Sequence, residues 1–156
     1  MSLAEVDSAI AICQRHLDKV AEPGTEVGAF LTVYLLILIC GAFENELERL
    51  VVERAKRAMD DDLTSFVQNS MKEYHGLKVS DLKGKLLKKF GVKHTSSFEG
   101  FLQREWEAVQ KYQNIVTNRH SIAHGTPIYM TFEELIGSYS ESKKVLKEIQ
   151  TILGVQ

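Results

Sequence analysis

The sequence predicts an all-α protein, a bundle of five or six helices. Apolar residues recur at intervals of three and four along most of the chain, and no alternating run of β-branched residues stands between turn signals. The chain has 156 residues, of which 44% are hydrophobic and 26% charged, which suffices for one domain with its own core. We therefore expect a single helical domain over residues 1–156.

The first two helices are expected at residues 3–20 and 27–59, separated by the breaker Pro23-Gly24-Thr25. The first half of the second helix, through Phe43, is apolar all round. At about seventeen residues it reaches the lower limit for a membrane-spanning helix. Polar residues within it and acidic residues at both ends favour a buried core helix in a soluble protein. We therefore expect no membrane association.

The third and fourth helices are expected between residues 60 and 91. The acidic run at 60–62 can cap a helix that ends at Gly76, and a short helix from Ser80 or Asp81 reaches Phe90, with Gly91 as its C-terminal cap. A loop at 92–97 follows.

The last two helices are expected at 98–123 and from 132 to about 153. Gly125 and Pro127 end the first of them, and Thr131 with Glu134 forms a capping box for the second. Phe101, Trp106 and Tyr112 follow the helical spacing of the aliphatic residues and are assigned to the core.

The charge and cysteine content restrict the class of protein. A net charge of −2 gives no overall attraction to nucleic acid, so such binding requires a local basic patch. Cys13 and Cys40 lie in apolar stretches without zinc-site spacing and are expected to be buried free thiols. The first residues lack the pattern of a signal peptide, so we expect a cytoplasmic protein.

The segment NRHSIAHG at residues 118–125 carries the residues best suited to chemistry. Arg119 and His124 are five positions apart, which on an ideal helix is about 140° of rotation and about 7.5 Å of rise. Gly125 places His124 in the last turn, where a long arginine side chain could reach the same cleft. Metal-independent RNA cleavage needs proton transfer to and from oxygen and positive charge on the phosphate. Histidine and arginine supply these functions.

Simpler interpretations of the same residues stay open. His124 could be stabilised by the negative end of its helix, Gly125 could be an ordinary cap, and Arg119 could pair with a surface carboxylate. His120 and His124 share a helix face, as a metal pair would, but no HExxH pattern or nearby cysteine accompanies them. We expect no metal and no other cofactor, and we assign no role to His16, His75 or His94.

The RxxxxH arrangement near the end of the penultimate long helix resembles the HEPN superfamily. The wording NRHSIAHG is particularly similar to ribonuclease-related branches such as RiboL-PSP-HEPN. The resemblance implies an HEPN-like fold in which two motif helices pair across a homodimer. Their composite cleft cuts RNA without metal, often in a toxin or in antiviral defence.

The resemblance also implies residue roles. Arg119 would hold and polarise the phosphate, and His124 would be the general acid or base. Asn118 and His120 would be auxiliary. Glu44, an acidic residue on the preceding long helix, would be a further auxiliary residue with Arg119 or His124 as its partner, although a solvated acidic face is the alternative. Thr126 stands where some toxin members have a tyrosine, so their auxiliary regulation is not implied.

A lysine-rich segment spans residues 78–93. It holds six lysines and one acid, Asp81, a local net charge of +5. We expect RNA binding from the lysines that follow that acid, unless they only cover the core with their stems; these are Lys83, Lys85, Lys88, Lys89 and Lys93.

The sequence thus predicts a homodimeric, metal-independent endoribonuclease, a toxin or defence effector whose partners are RNA and an antitoxin or other regulatory protein. The alternative is a non-catalytic HEPN module that binds nucleotide, RNA or protein. In a third interpretation the motif is a chance feature of a helical scaffold.

Overall fold

The structure is a computed structural model that describes residues 2–20, 26–75 and 77–155, and in these ranges it contains helices and no β-strand. The α-helices are α1 (Leu3–Val20), α2 (Glu26–Lys56), α3 (Asp61–Met71), α4 (Val79–Asp81), α5 (Val92–Arg104), α6 (Trp106–Ala123) and α7 (Phe132–Leu153). A π-helical turn (Leu82–Leu86) and a 3-10 turn (Leu87–Phe90) follow α4. The all-α class is confirmed, with seven α-helices in the described ranges instead of five or six. The break at residues 23–25 lies outside the described residues. The predicted helix end at Gly76 is wrong, because α3 ends at Met71 and residues 72–75 are not helical. The N–H groups of Lys72, Glu73 and Tyr74 donate to carbonyl oxygens three residues earlier instead of four, which closes the helix there.

One predicted helix is two helices in the structure. The expected helix at 98–123 is interrupted at Glu105, whose backbone angles (φ −116°, ψ 43°) are not helical. The Glu105 N–H still donates to the Phe101 carbonyl oxygen (2.9 Å), and its own carbonyl oxygen accepts from the Val109 N–H (3.1 Å). Because these bonds satisfy the backbone on both sides, the bend needs no glycine or proline, and no residue type signals it.

The predicted loop at 92–97 is also wrong, because these residues form the start of α5. The Thr-Ser-Ser run at 95–97 lies within this helix, although hydroxyl side chains can compete with helical hydrogen bonds. Here the Thr95 hydroxyl donates to the Val92 carbonyl oxygen (2.8 Å), and the Ser97 hydroxyl donates to that of Lys93 (3.0 Å). The hydroxyl groups are satisfied within the helix.

Two predicted caps are confirmed. The Asp60 carboxylate accepts from the Leu63 N–H (2.9 Å) at the start of α3. At the start of α7 the Thr131 hydroxyl accepts from the Glu134 N–H (3.2 Å), and the Glu134 carboxylate accepts from the Thr131 N–H (2.8 Å). Each cap satisfies N–H groups that the first helical turn leaves open.

The centre of the core lies where α2, α6 and α7 meet. Phe43 of α2 stacks on Tyr112 of α6 (5.5 Å between ring centroids) and on Tyr139 of α7 (6.0 Å). Cys40 contacts the Ile115 carbonyl oxygen through its Sγ (3.9 Å). Because Cys40 precedes Phe43 whereas Ile115 follows Tyr112, α2 and α6 run in opposite directions.

The expected core position of Trp106 is wrong. Its side chain is 65% exposed, while Phe101 and Tyr112 are buried as predicted. The prediction extended helical spacing from Phe101 through Trp106. The break at Glu105 makes Trp106 the first residue of a new helix, so that spacing does not apply.

The first half of α2 is only partly buried, contrary to prediction. In its most apolar 18-residue window the mean hydropathy is 2.1, but 39% of the residues are buried. Four large apolar side chains, which we call the apolar stripe, are exposed by 46–74%: Val27, Phe30, Tyr34 and Ile37. Helix α2 is long and apolar enough to cross a membrane, a property that core helices of soluble proteins share.

Candidate active site

The motif segment ends α6 in a defined cap. His124 is the last residue before Gly125, which adopts a left-handed conformation (φ 68°). The Gly125 N–H donates to the Ile122 carbonyl oxygen (3.0 Å), and the Thr126 N–H donates to that of Ser121 (2.9 Å). This pair of bonds is a Schellman motif, which satisfies carbonyl groups at the helix end. The backbone that carries His124 is therefore held in one conformation.

His120 and His124 form an exposed pair of imidazole rings. Both side chains are exposed, and their ring centroids are 4.4 Å apart at an interplanar angle of 63°. Residues four positions apart on a helix are surface neighbours, so this contact follows from their spacing. Two imidazole groups thus lie side by side at the end of α6.

Arg119 lies on the side of α6 that faces α2. Its side chain is half-buried, and its positive charge lowers the pKa of the Cys40 thiol. Burial has the larger, opposite effect and, together with the Glu44 carboxylate, raises the pKa of Cys40 to about 12. Helix geometry separates Arg119 from His124 by about 140°. Within one chain Arg119 and His124 are therefore attached to different sides of α6.

Asn118 makes a local contact. Its side-chain amide donates to the Asn114 carbonyl oxygen one turn earlier (2.9 Å). The side chain is half-buried against its own helix. Its auxiliary role stays a prediction.

Glu44 forms an ion pair with His75, a residue to which sequence analysis assigned no role. The Glu44 Oε2 and His75 Nδ1 atoms are 3.9 Å apart, and the pair is charged when His75 is protonated. Glu44 lies one turn after Cys40, and Arg119 lies one turn after Ile115. Because α2 and α6 are antiparallel, the two residues lie on opposite sides of the Cys40–Ile115 contact. Their backbones are about 12 Å apart along the helix axes.

Two of the five predicted RNA-binding lysines form ion pairs. The Lys83 Nζ is 2.5 Å from the Glu99 carboxylate, and the Lys85 Nζ is 2.9 Å from the Asp81 carboxylate. Phosphate binding at either lysine would compete with these carboxylates, so the local charge available to RNA is lower than the +5 of the segment.

The other three lysines carry no ion pair in the described part of the chain. The Lys89 ammonium lies 4.9 Å from the centre of the Tyr74 ring, and Lys88 and Lys93 are exposed. The Val79 N–H donates to the Gln113 side chain (3.0 Å), so the lysine segment starts beside the middle of α6. His124 is eleven residues further on, about 16 Å along the axis.

The apolar stripe lies beside the motif. Arg119 follows Ile115 by one turn, and the antiparallel arrangement brings that turn next to the residues that precede Cys40, where Ile37 and Tyr34 are exposed. This surface could not be distinguished in the sequence because the other faces of the same segment are equally apolar. The only signal was the helical spacing of Phe30, Tyr34 and Ile37.

Among the residues that the structure describes, no group of three or more potential metal ligands converges.

A family model described as RiboL-PSP-HEPN matches residues 3–154 of the chain. The match covers every helix from α1 to α7 and includes the motif segment. No curated protein and no solved structure gives a significant match.

Proposed function

The chain belongs to the RiboL-PSP-HEPN family of the HEPN superfamily, whose domains are generally ribonucleases or nucleotide-binding modules, and on that premise we propose a metal-independent endoribonuclease that acts as a homodimer. The observation that carries the proposal is the exposed His120–His124 pair at the capped end of α6, with Arg119 on the same helix in the RxxxxH arrangement of the family.

The proposed reaction is an attack of a ribose 2′-oxygen on the adjacent phosphorus. The His124 imidazole of one subunit accepts the proton of the 2′-hydroxyl, and a water molecule donates a proton to the departing 5′-oxygen and regains one from the imidazolium. The Arg119 guanidinium binds the phosphate oxygens, where negative charge increases as the fifth bond to phosphorus forms. The products are a 2′,3′-cyclic phosphate and a 5′-hydroxyl end. His120, next to His124, is proposed as an auxiliary donor to phosphate.

The first test is cleavage of a mixed-sequence RNA in EDTA by the wild type and by His124→Ala. Removal of an acid–base group should lower the rate by roughly 10² to 10⁴. Arg119→Ala should lower it as well, and His16→Ala, the same type of change at an exposed histidine of α1, should not. Full activity of His124→Ala, or equal loss in His16→Ala, would contradict the assignment.

A second test asks whether the site is composite. Arg119→Ala and His124→Ala proteins are assayed separately and after mixing with subunit exchange. If Arg119 of one subunit acts with His124 of the other, mixed dimers regain one complete pair. With random exchange we expect about a quarter of wild-type activity, because half of the dimers carry one of two sites. Activity that stays at the level of the separate variants would contradict a site shared between subunits.

The apolar stripe is the proposed dimer interface, because large apolar side chains that are exposed together beside a motif are typical of an interface. Phe30→Glu should convert a dimer to a monomer in sedimentation analysis and abolish cleavage. Phe66→Glu is the same change on α3 at a side chain of similar exposure, and it should leave the mass unchanged. A dimer that persists in Phe30→Glu would exclude the apolar stripe as the dimer interface.

We further propose that the enzyme is an intracellular toxin or antiviral effector restrained by a partner protein. Expression of the wild type in a bacterial host should then slow growth, and expression of His124→Ala should not. A purified protein that binds RNA or nucleotide through Arg119 but cleaves no RNA would favour the binding-module alternative.

A further inference from the structure

A second surface lies at the other end of α2, in a groove between this helix and α3. The groove has a volume of about 420 Å³, and most of its lining is apolar. Ala55, Leu63, Val67 and Phe90 contribute to its floor. Leu63 is 43% exposed, so the apolar floor is open to solvent. We call this surface the α2–α3 groove.

The charged residues of the α2–α3 groove are two arginines. Arg54 and Arg57 are exposed, line one edge and form no ion pair within the described ranges. The protein as a whole has a net charge of −2, so this concentration of positive charge is local. None of the acidic residues 60–62 lines the groove, and the Asp60 carboxylate accepts from the Leu63 N–H (2.9 Å). At 100° per residue, Asp62 lies about 100° and Asp61 about 160° from Leu63.

We propose that the α2–α3 groove binds an acidic amphipathic helix of a partner protein. Apolar side chains of such a helix at positions i, i+3, i+4 and i+7 would cover Leu63, Val67 and Phe90. Its carboxylates would pair with Arg54 and Arg57, which are three residues apart along the groove edge and form bidentate bonds to carboxylates. Helix α3 has 11 residues and is about 16 Å long, which matches about three turns of a partner helix.

The apolar floor favours a peptide over RNA. A nucleic-acid backbone needs positive charge but little aliphatic surface, and stacking of bases would require several aromatic platforms, whereas Phe90 is the one aromatic residue that lines the groove. An acidic helix with apolar side chains on one face would contact both the apolar floor and the two arginines of the groove.

The groove is remote from the proposed active site. Ala55 follows Cys40 by fifteen residues, about 22 Å along α2, whereas the motif lies beside the opposite half of this helix. A bound partner would therefore leave the His120–His124 pair exposed. The proposal does not depend on ribonuclease activity.

The test selects helical peptides of about 16 residues from a random display library on the full-length protein, without prior choice of sequence. We expect enrichment of peptides rich in Asp and Glu with apolar residues at helical spacing. Binding of the best peptide is then measured by fluorescence anisotropy. Arg54→Glu reverses a charge that pairs with the peptide and Leu63→Asn removes an apolar contact of the floor, and each should weaken binding by about tenfold or more.

Two control variants test whether the peptide binds specifically to the α2–α3 groove. Arg15→Glu reverses an exposed arginine on α1, and His124→Ala removes the proposed catalytic imidazole; both should bind the peptide like the wild type. Circular dichroism checks that each variant is folded. Failure of any peptide to be enriched, enrichment of basic peptides, or equal binding by Arg54→Glu would overturn the proposal. Displacement of the peptide by a single-stranded RNA of about 12 nucleotides, lost in Arg54→Glu, would assign the groove to RNA instead.

Discussion

Substituting alanine for two different glycines should change stability in opposite directions. Gly125 ends α6 with φ 68°, whereas Gly137 lies inside α7 and is exposed. A Cβ atom added at either position meets no atom within 4 Å other than those of its chain neighbours and of its own helix backbone. The two substitutions therefore add the same methyl group without a clash, and only the backbone conformation distinguishes them.

The expected magnitudes follow from that difference. A left-handed conformation costs a residue with a Cβ atom roughly 1–2 kcal/mol, so Gly125→Ala should lower the free energy of unfolding by this amount. Glycine inside a helix is less favourable than alanine by roughly 0.5–1 kcal/mol, so Gly137→Ala should raise it. For a chain of this size 1 kcal/mol corresponds to about 2–4 °C in Tm. We expect Tm to fall by about 2–8 °C in the first variant and to rise by about 1–4 °C in the second.

The assay is thermal unfolding followed by circular dichroism at one protein concentration, because dimerisation makes Tm depend on concentration. Gly125→Asn serves as a third variant, since asparagine tolerates the left-handed conformation and should lose less stability than alanine. Equal shifts of the same sign for Gly125→Ala and Gly137→Ala would refute the reasoning, because the added methyl group rather than the Schellman cap would then decide stability.

Three further predictions concern the cap of α7, the thiols and the tryptophan. Thr131→Ala removes the capping box and should lower the free energy of unfolding in urea by about 1 kcal/mol. Thr151→Ala, an exposed threonine near the end of the same helix, should change it by less than about half as much. Cys13 and Cys40 are buried, and burial raises the pKa of both thiols, so a thiol reagent at pH 8 should label them slowly in the native protein and rapidly in urea; rapid native labelling would contradict their burial. Trp106, the single tryptophan, should emit at long wavelength and be quenched by acrylamide, and a protected, blue-shifted emission would mean that its exposed side is covered in solution.

The helix positions were predictable where capping residues and apolar spacing agree. Thr131 with Glu134, Asp60 and Gly125 each mark a helix end by a local hydrogen-bond pattern, and the structure has a helix end at each. The bend at Glu105 was not predictable, because both of its backbone groups remain bonded to neighbours in the chain. Nothing in the side chains of Arg104, Glu105 and Trp106 requires a break.

Burial of α2 was predictable only in part, because composition does not tell which apolar face meets the rest of the protein. Leu36 and Ile39 are fully buried, whereas Phe30 and Ile37, on the same helix, are exposed. The ion pairs of the lysine segment could not be predicted from the sequence either. Glu99, which pairs with Lys83, belongs to another helix and lies sixteen residues away in the sequence.

The spacing of Arg119 and His124 itself bears on the choice between a site within one subunit and a site shared by two. On one chain the helix directs Arg119 towards Cys40 and His124 towards solvent, so the two groups do not face a common point. In a dimer with two-fold symmetry both subunits use the same surface for the interface. A contact between one group of the first subunit and a different group of the second subunit therefore occurs twice. An arginine and a histidine on separate sides of one helix can then form two equivalent pairs across the axis. The mixing experiment with Arg119→Ala and His124→Ala tests this step directly, because restoration of activity requires that neither subunit supplies both groups to a site.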